Sequence, residues 1–389
     1  MEAQTVNTLA SVASHDETVR CLLAIELSKK SWIIAANSPL VDRIGRYSLE
    51  ACDWKGLLER IERIRMRVAR ELNRPVEVIS CYEAGYDGFW LHRLLEAHGV
   101  RNYVIDAASL HVDRRARRTK TDHIDAVQLL RSLLAYLRGE PKVWSVVRVP
   151  SVAEEDERRL HRERHRLIAE RVQHVNRIKG LCAVHGIYDY EPLRSNRLLR
   201  LERLRTGDGR ELPRRLRTEI VRELQRLELV LQMIKAIEKE RDAMASAAQT
   251  SPNSNAKKIQ QLVKIKGIGA ETATVLVGEV FYRHFDNRRQ LANYVGLTPS
   301  HFRSGFMSRD QGISKAGNPK ARTTMIELAW FWLRHQHDSS LSVWFRERVG
   351  AAKGRMRRIT VVAVARKLLI ALWRYLETGL IPTGVAVKG

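Results

Sequence analysis

The sequence contains few of the residues that hold small folds together by covalent or metal links. It has only four cysteines in 389 residues, and they are far apart: Cys21, Cys52, Cys81 and Cys182. Without a Cys-x-x-Cys spacing they argue against a zinc site and against a disulfide framework. A reducing cytoplasm is the compartment that this cysteine usage indicates.

Long uncharged runs and an acidic surplus are also missing. No apolar stretch is long enough to cross a bilayer, and the first twenty residues lack the basic-then-apolar pattern of a secretory signal. The chain has 68 Lys and Arg against 44 Asp and Glu, which gives a formal net charge of +24. This excess favours a nucleic-acid partner over a neutral small molecule, and no membrane partner is expected.

The amino-terminal third alternates between short apolar runs and helical patterns. Strands alternating with helices predict parallel pairing and an α/β layer structure, after an initial antiparallel meander of three strands. The predicted order is three strands, helix, strand, helix, strand, helix, at residues 21–26, 31–36, 43–49, 54–72, 76–82, 89–97, 101–105 and from Asp122.

Four acidic residues fall where this arrangement would gather them. Glu26 and Glu83 end two buried strands, and sites in such sheets lie beyond the carboxyl ends of strands. Asp122 and Asp125 are three apart, so on a helix their carboxylates share one face. Oxygen-only ligands select Mg²⁺ or Mn²⁺, and two such ions could clamp the oxygens of a phosphoryl transfer. The alternative is an ordinary helix start with Asp122 as its N-cap.

A run of cations comes directly before the Asp122 helix. A basic approach beside an acidic pair suits a polyanion that is cleaved with a divalent metal. The nucleic-acid-binding candidates in this run are Arg114, Arg115, Arg117, Arg118 and Lys120.

The middle of the chain predicts two long helices. Residues 154–183 are dense in arginine, and residues 216–234 keep the heptad-like alternation of a coiled coil. The two helices can pair with each other as an antiparallel arm or pair between subunits, and both arrangements stay open. For the arginines, a solvated helix face competes with contact to a nucleic-acid backbone. Residues 251–258, which begin with Ser, Pro and Asn, are predicted as a linker.

The last third combines a glycine turn with a serine-rich loop. Gly267 and Gly269, with Lys264 and Lys266, lie between two helical patterns and resemble a helix-hairpin-helix turn that can approach a phosphate. A packing turn is the alternative. Residues 301–319 are predicted as a polar loop. Its cations, Arg303, Arg309 and Lys315, are further nucleic-acid candidates. A serine there could attack a phosphodiester, but chemistry alone does not choose among Ser300, Ser304, Ser308 and Ser314.

Several spaced motifs follow one another in the order found in a known family. They are Ile-Glu-Leu-Ser-Lys-Lys at 25–30, Tyr-Glu-Ala-Gly at 82–85, Lys-Thr-Asp-His-Ile-Asp-Ala at 120–126, Asn-Arg-Ile-Lys-Gly at 176–180, Leu-Ala-Asn-Tyr-Val-Gly-Leu-Thr-Pro at 291–299, Ser-Gly at 304–305 and Ile-Ser-Lys-Ala-Gly-Asn at 313–318. On these motifs, nearly the whole chain resembles the insertion-sequence transposases of the IS110 family, which have an Asp-Glu-Asp-Asp, RuvC-like amino-terminal domain.

The resemblance implies an RNase H-like α/β fold for the amino-terminal domain, a helical coiled-coil middle and a mainly α-helical transposase domain. The implied boundaries are a tail at 1–19, the RuvC-like catalytic domain at 20–145, the coiled-coil region at 146–250, the linker at 251–258 and the transposase domain at 259–389.

The resemblance also implies a mechanism. Glu26, Glu83, Asp122 and Asp125 would form a magnesium-binding tetrad. Ser304, in the Ser-Gly motif, would cut DNA through a phosphoserine link. Members of the family form dimers or tetramers with a composite site. They act on donor and target DNA in the bacterial cytosol or nucleoid, and a structured non-coding RNA, the bridge RNA, guides them.

The sequence departs from the family at its first acid, which is usually Asp and here is Glu26. The extra methylene requires the carboxylate to retract or the metal to shift, but an oxygen ligand is kept, so we expect activity to survive. Two other functions stay open. One is a metal-dependent, Holliday-junction-type nuclease in which water attacks, and the other is a non-catalytic nucleic-acid-binding protein.

Overall fold

The computed structural model describes residues 18–110, 122–141, 143–247, 254–304 and 307–388. At positions 108, 122–123, 245–247, 254, 301–304 and 307–310 it describes the backbone only. The chain divides into two compact units, Met1–Val149 and Pro150–Gly389, which we call the N-terminal unit and the C-terminal unit.

The N-terminal unit is a five-stranded mixed sheet with helices on both faces. The strand order is β3-β2-β1-β4-β5; β1 pairs antiparallel with β2 and parallel with β4, and β4 pairs parallel with β5. This confirms the predicted meander and parallel pairs. The elements are β1 (Val19–Leu27), β2 (Ser31–Ser38), β3 (Val41–Glu50), α1 (Trp54–Leu72), β4 (Val76–Glu83), α2 (Trp90–Ala97), β5 (Val100–Ile105), a 3₁₀ turn (Ala107–Ser109) and α3 (Asp122–Leu137).

The central strands are apolar throughout because both faces of the sheet are covered. Leu23 and Ile25 of β1 pack in the cluster that contains α1 and α2. Leu22 and Ala24 pack in a second cluster on the opposite face, with the buried residues of α3. Since successive side chains on a strand point to opposite faces, one apolar run supplies both cores.

The C-terminal unit is mainly helical, as predicted, and contains one β-hairpin. Its elements are α4 (Val152–Glu157), α5 (Arg159–Ala183), α6 (Arg197–Glu202), α7 (Arg214–Ala247), α8 (Ser254–Val263), α9 (Ala270–Leu276) continuing into a π-helical turn (Val277–Phe281), α10 (Arg288–Val295), β6 (Pro299–Ser304), β7 (Met307–Ile313), α11 (Pro319–His335), α12 (Ser340–Val349) and α13 (Arg355–Thr378). Helices α8 to α13 share one apolar core.

Helices α5 and α7 pair with each other within the chain. The pairing is antiparallel, because later residues of α5 contact earlier residues of α7 in three side-chain links: Arg164 with Glu238, His174 with Glu223 and Arg177 with Glu219. Apolar clusters that include Ile178, Ile220 and Leu224 fill the space between them. Of the two arrangements left open by the sequence, the structure contains the antiparallel pair.

Two segments differ from the predictions. Helix α8 begins at Ser254, inside the predicted linker, because Ile259 and Leu262 pack into the shared core and keep the preceding turn helical. Strands β6 and β7 pair antiparallel, with Phe302 opposite Arg309, so the prediction of a loop over 301–319 is wrong for 301–304 and 307–313. Backbone pairing makes this hairpin, and its serines and glycine, which are typical of loops, conceal it.

None of the helices in the described part of the chain is both long enough and apolar enough to cross a bilayer.

Candidate active site

Glu26 and Glu83 lie at the same end and on the same face of the sheet. They follow Ile25 and Tyr82, which are register partners on the parallel strands β1 and β4. Ala24 and Cys81, two residues before each acid, are buried under α3, and side chains two apart on a strand share a face. The structure therefore brings these two predicted residues together at the carboxyl ends of β1 and β4.

Asp125 lies on the helix that covers this face. Its neighbour Ala126 and Leu129, one turn later, are buried against the sheet. The carbonyl oxygen of Leu129 is 4.0 Å from Sγ of Cys81, two residues before Glu83. Asp125 is therefore on the same side of the sheet as Glu26 and Glu83. Asp122 is the first residue of the same helix, and its side chain is outside the described part.

The donor set fits magnesium by type, since hard divalent cations take carboxylate oxygens. Among the side chains that the structure describes, however, no three His, Cys, Asp or Glu residues gather closely enough to hold a metal ion. A complete ligand set would therefore need Asp122 or a movement of the three described acids.

An exposed aromatic ring lies beside the acids. Tyr86, three residues after Glu83, is 89% exposed. Nζ of Lys29, three residues after Glu26, is 4.9 Å from the centre of its ring. A solvent-facing ring flanked by a cation is the kind of surface on which a nucleobase can stack next to a phosphate.

Ser304 is the last residue of β6 and pairs with Met307 of β7. Its side chain and residues 305–306 lie outside the described part. Ser304 therefore lies at the end of the two paired strands that is away from the helical core.

Backbone hydrogen bonds close the base of the hairpin and link the chain on its two sides, at the end of α10 and the start of α11. The N–H of Ser314 donates to the carbonyl of Thr298 at 2.8 Å, and the N–H of Asn318 donates to the carbonyl of Tyr294 at 2.8 Å. Gly296 and Gly317 have φ values of +73° and +97°, and a Cβ at either would overlap a backbone carbonyl. Glycine is thus required at both positions by conformation and by space.

A buried carboxylate also contacts the start of α11, next to the base of the hairpin. Glu279, 2% exposed, lies in the π-helical turn. Its Oε1 is 2.8 Å from His161 Nε2 and accepts from Arg162 Nε at 2.8 Å, and its Oε2 accepts from Asn318 Nδ2 at 2.8 Å. Asn318 also caps α11 by accepting from the N–H of Ala321. We call these four residues, Glu279, His161, Arg162 and Asn318, the Glu279 cluster.

The Glu279 cluster keeps its carboxylate charged. Burial alone would raise the pKa of Glu279, but the hydrogen bonds from His161, Arg162 and Asn318 outweigh it and hold the pKa well below its usual range. Glu279 is not among the site residues that the sequence predicts. One signal was available: Glu279 is the only acid in the apolar run 275–281, and an acid in such a run needs a buried partner.

The other residues predicted to bind nucleic acid are spread over the chain. Residues Arg114 to Lys120 lie outside the described residues, and the side chains of Arg303 and Arg309 do too. Lys315 is exposed at the hairpin base. The side chains of Lys264 and Lys266 are exposed beside the glycine turn, which does join two helices.

The C-terminal segment packs onto this glycine turn. The N–H of Lys266 donates to Ala386, and the carbonyl of Lys266 accepts from Gln336. These contacts support a packing role for the turn, and its phosphate contact stays a prediction that depends on the two lysines.

Known proteins resemble the chain over most of its length. Residues 259–343 match the family described as the Transposase IS116/IS110/IS902 family. The Sinorhizobium fredii protein y4rJ, which carries a transposase name, is 48% identical over 372 residues, 94% of each chain. The transposase for insertion sequence element IS1111A of Coxiella burnetii is 27% identical over 276 residues, covering 68% of this chain and 69% of its own length.

The similarity to y4rJ extends through both units, and the family match covers the hairpin and the helices around it. This chain therefore belongs to the IS116/IS110/IS902 family of insertion-sequence transposases, enzymes that cut and rejoin DNA.

Proposed function

We propose that the protein is an RNA-guided serine recombinase that excises and inserts its own insertion sequence. Each unit supplies one part of the chemistry: the N-terminal unit the acids, and the C-terminal unit the serine. The observation that carries the proposal is that Glu26 and Glu83, distant in sequence, share one face of the sheet, and that Asp125 lies on the helix that covers this face.

The acids are the proposed ligands of magnesium. Glu26, Glu83, Asp122 and Asp125 would hold the ion, which would supply positive charge to the phosphate under attack. Glu26 and Asp125 are both half-buried. Lys29 adds a protein cation at the same edge, where it can pair with a neighbouring phosphate.

Ser304 is the proposed nucleophile. Its hydroxyl gives up its proton, the Oγ attacks a DNA phosphorus, and the bond from phosphorus to one deoxyribose oxygen breaks. That oxygen leaves as a hydroxyl after taking up a proton, and a phosphoserine ester remains on the protein. Attack by a hydroxyl of another DNA end reverses these steps and rejoins the strand, so no external energy source is needed.

The fixed base of the hairpin supports this role. A nucleophile must be held in an attack geometry, and small displacements reduce rate strongly. The contacts of Ser314 and Asn318, together with the Glu279 cluster, fix the strands that carry Ser304.

The proposed partners are donor DNA, target DNA and a structured non-coding RNA, with the protein acting as a dimer or tetramer. The formal charge of +24 supports polyanionic partners in general. The choice of RNA comes from the family resemblance.

The test combines the full chain with donor DNA, target DNA, RNA transcribed from the flanks of the element, and Mg²⁺. We expect recombinant molecules, and none when RNA or Mg²⁺ is omitted. Asp125→Asn should remove recombination, and Glu26→Asp should retain it. Glu50→Gln, an exposed acid on β3, is the control. Recombination by Asp125→Asn at the wild-type rate would contradict the role of the acids.

A metal-dependent nuclease with water as nucleophile is the second candidate. It is favoured by one observation: the acids lie together in a unit that does not contain Ser304. It predicts cleavage without a covalent protein–DNA species, whereas the serine mechanism requires one.

A further inference from the structure

A groove of about 920 Å³ in the N-terminal unit is walled by arginines from three elements. It lies between the start of β3, the end of β2, one face of α1 and the middle of α3. Among the lining residues that the structure describes, Asp42 alone is acidic. The six arginines are Arg43, Arg46, Arg60, Arg63, Arg67 and Arg131. We call this feature the arginine groove.

The arginine groove is displaced along the sheet from the strand-end acid Glu26, although Val127 of its lining is only two residues after Asp125. Its wall includes Ala36, which pairs with Leu23 of β1, whereas Glu26 pairs with Ile33. Leu23 and Glu26 are three residues apart on β1, so the groove wall at Ala36 and the acid Glu26 are roughly 10 Å apart along the strand direction.

Among the described residues, only two of the six arginines, Arg63 and Arg67, have a carboxylate partner. Within the described part of the chain, Arg43, Arg46 and Arg131 form no ion pair, and all three are exposed. Their charge is therefore available to a ligand. Uncompensated charge of one sign in a concave surface concentrates the field and attracts a ligand of the opposite sign.

The other three arginines are held in place without losing their charge. Arg60 stacks on Tyr47, with 4.5 Å from the guanidinium carbon to the ring centre. Arg63 and Arg67 pair with glutamates one turn away on α1, at 3.0 Å each. Exposed pairs of this kind contribute only about 0.3–0.5 kcal/mol, so a phosphate can replace the glutamate at little cost.

The chemistry of the walls selects the ligand. Small-molecule pockets have only a few polar groups among apolar walls, whereas this groove has six guanidinium groups beside its apolar residues. Guanidinium groups match phosphate oxygens in a two-point geometry, and six of them exceed the needs of a single phosphate. We propose that the arginine groove binds the phosphodiester backbone of a nucleic-acid segment outside the segment being cut. RNA and DNA share this chemistry.

The inference rests on the proposed function in one respect, namely that such an enzyme binds nucleic acid. Its test therefore measures binding in EDTA, where a magnesium-dependent cleavage step is absent. Failure of the test would leave the serine mechanism standing, and failure of the serine mechanism would leave the arginine groove standing.

The experiment compares two triple variants of the full chain that remove equal charge from the N-terminal unit. The groove variant is Arg43→Gln, Arg46→Gln, Arg131→Gln. The control variant is Lys55→Gln, Arg74→Gln, Arg138→Gln, whose three cations are exposed and lie outside the arginine groove. Affinity for an RNA hairpin and for a DNA duplex with the same number of phosphates is measured over a series of salt concentrations.

We expect the groove variant to lose at least tenfold in affinity for RNA, DNA or both, relative to the control variant. The slope of log Kd against log salt should fall by about 2 to 3, since each phosphate contact contributes about 0.7 to 0.9. The nucleic acid that shows the loss is the occupant. Equal affinities and slopes for the two variants would overturn the proposal.

Single substitutions keep the test valid if the triple variant unfolds. Arg131 lies on α3 and Arg138 directly follows this helix, and both side chains are exposed. Arg131→Gln should reduce the slope by about 1, and Arg138→Gln should leave it unchanged. The reverse order would contradict the proposal.

Discussion

A single buried charge, Glu279, connects helix α5 to the base of the hairpin. Its partners His161 and Arg162 are on α5, and Asn318 begins α11. The approach of His161 depends on Gly278, since a Cβ there would lie 2.9 Å from a carbon of the histidine ring. Removing one member of such a cluster leaves the others unsatisfied in an apolar environment.

The lowered pKa of Glu279 makes stability depend on pH. The unfolded carboxyl has a pKa of about 4.3, above the folded value. The contribution of the charge is therefore complete above about pH 4 to 5 and is lost as the pH falls further. We expect Glu279→Gln to lower the free energy of unfolding at pH 7 by about 2–4 kcal/mol and to flatten its decline below pH 4. Urea unfolding between pH 3 and 7 measures both.

The control for this prediction is Glu240→Gln, an exposed acid of α7. It should keep the wild-type pH dependence and stability within about 0.5 kcal/mol. A Glu279→Gln protein that loses stability in acid as steeply as wild type would show that the Glu279 carboxylate is not the titrating group.

Tyr86 permits a second test with single residues. If a base stacks on this ring beside the acids, Tyr86→Ala should weaken binding of a single-stranded oligonucleotide by about 1–3 kcal/mol, whereas Tyr86→Phe keeps the ring and the affinity. Tyr188→Ala, at a site that is 83% exposed in the other unit, is the control. Fluorescence anisotropy would measure the affinities. Equal effects of the two alanine variants would exclude a specific stacking role.

At the scale of elements, the hairpin depends on two glycines whose roles can be separated. Gly296 and Gly312 both have positive φ, +73° and +86°. A Cβ at Gly296 would overlap the carbonyl of Ala316, whereas a Cβ at Gly312 meets nothing within 4 Å. Both alanine variants therefore have the conformational strain, but only one has the overlap.

We expect Gly296→Ala to be less stable than Gly312→Ala by about 2 kcal/mol and to lose strand cleavage. Thermal unfolding and a cleavage assay with labelled DNA measure the two effects. Equal stability and cleavage in both variants would mean that the hairpin base is not held by the close approach at Gly296.

The elements also show how far the sequence could predict the fold. The strands and helices of the N-terminal unit were predicted to within a few residues, because buried apolar runs and turns leave a local signal. Helix α1 has the predicted limits, with Asp53 capping it by accepting from the N–H of Gly56. The β6–β7 hairpin was missed because its stability comes from cross-strand pairing, which composition does not reveal.

At the scale of the whole molecule, the candidate site could be predicted only in part. The two strand-end acids could be placed because parallel strands align their carboxyl ends. The Glu279 cluster could not, since its two partners on α5 are 117 and 118 positions away in the sequence. The arginine groove was missed for the same reason: its arginines come from three elements, and each alone is typical of a solvated face.

The net charge of +24 acts on the molecule as a whole, and it accounts for affinity to polyanions without selecting among them. In the proposed function, selection comes from three local sites: the acids at the carboxyl ends of β1 and β4, the arginine groove, and the serine on the hairpin. The serine distinguishes the two candidate mechanisms, because attack by a serine hydroxyl leaves the protein joined to DNA and attack by water does not.

The most direct measurement is therefore a denaturing gel of the full chain after reaction with labelled DNA, guide RNA and Mg²⁺. We predict a covalent protein–DNA band for wild type and for Ser308→Ala, and its loss for Ser304→Ala. A band that persists in Ser304→Ala, or cleaved DNA without any band in wild type, would contradict the account.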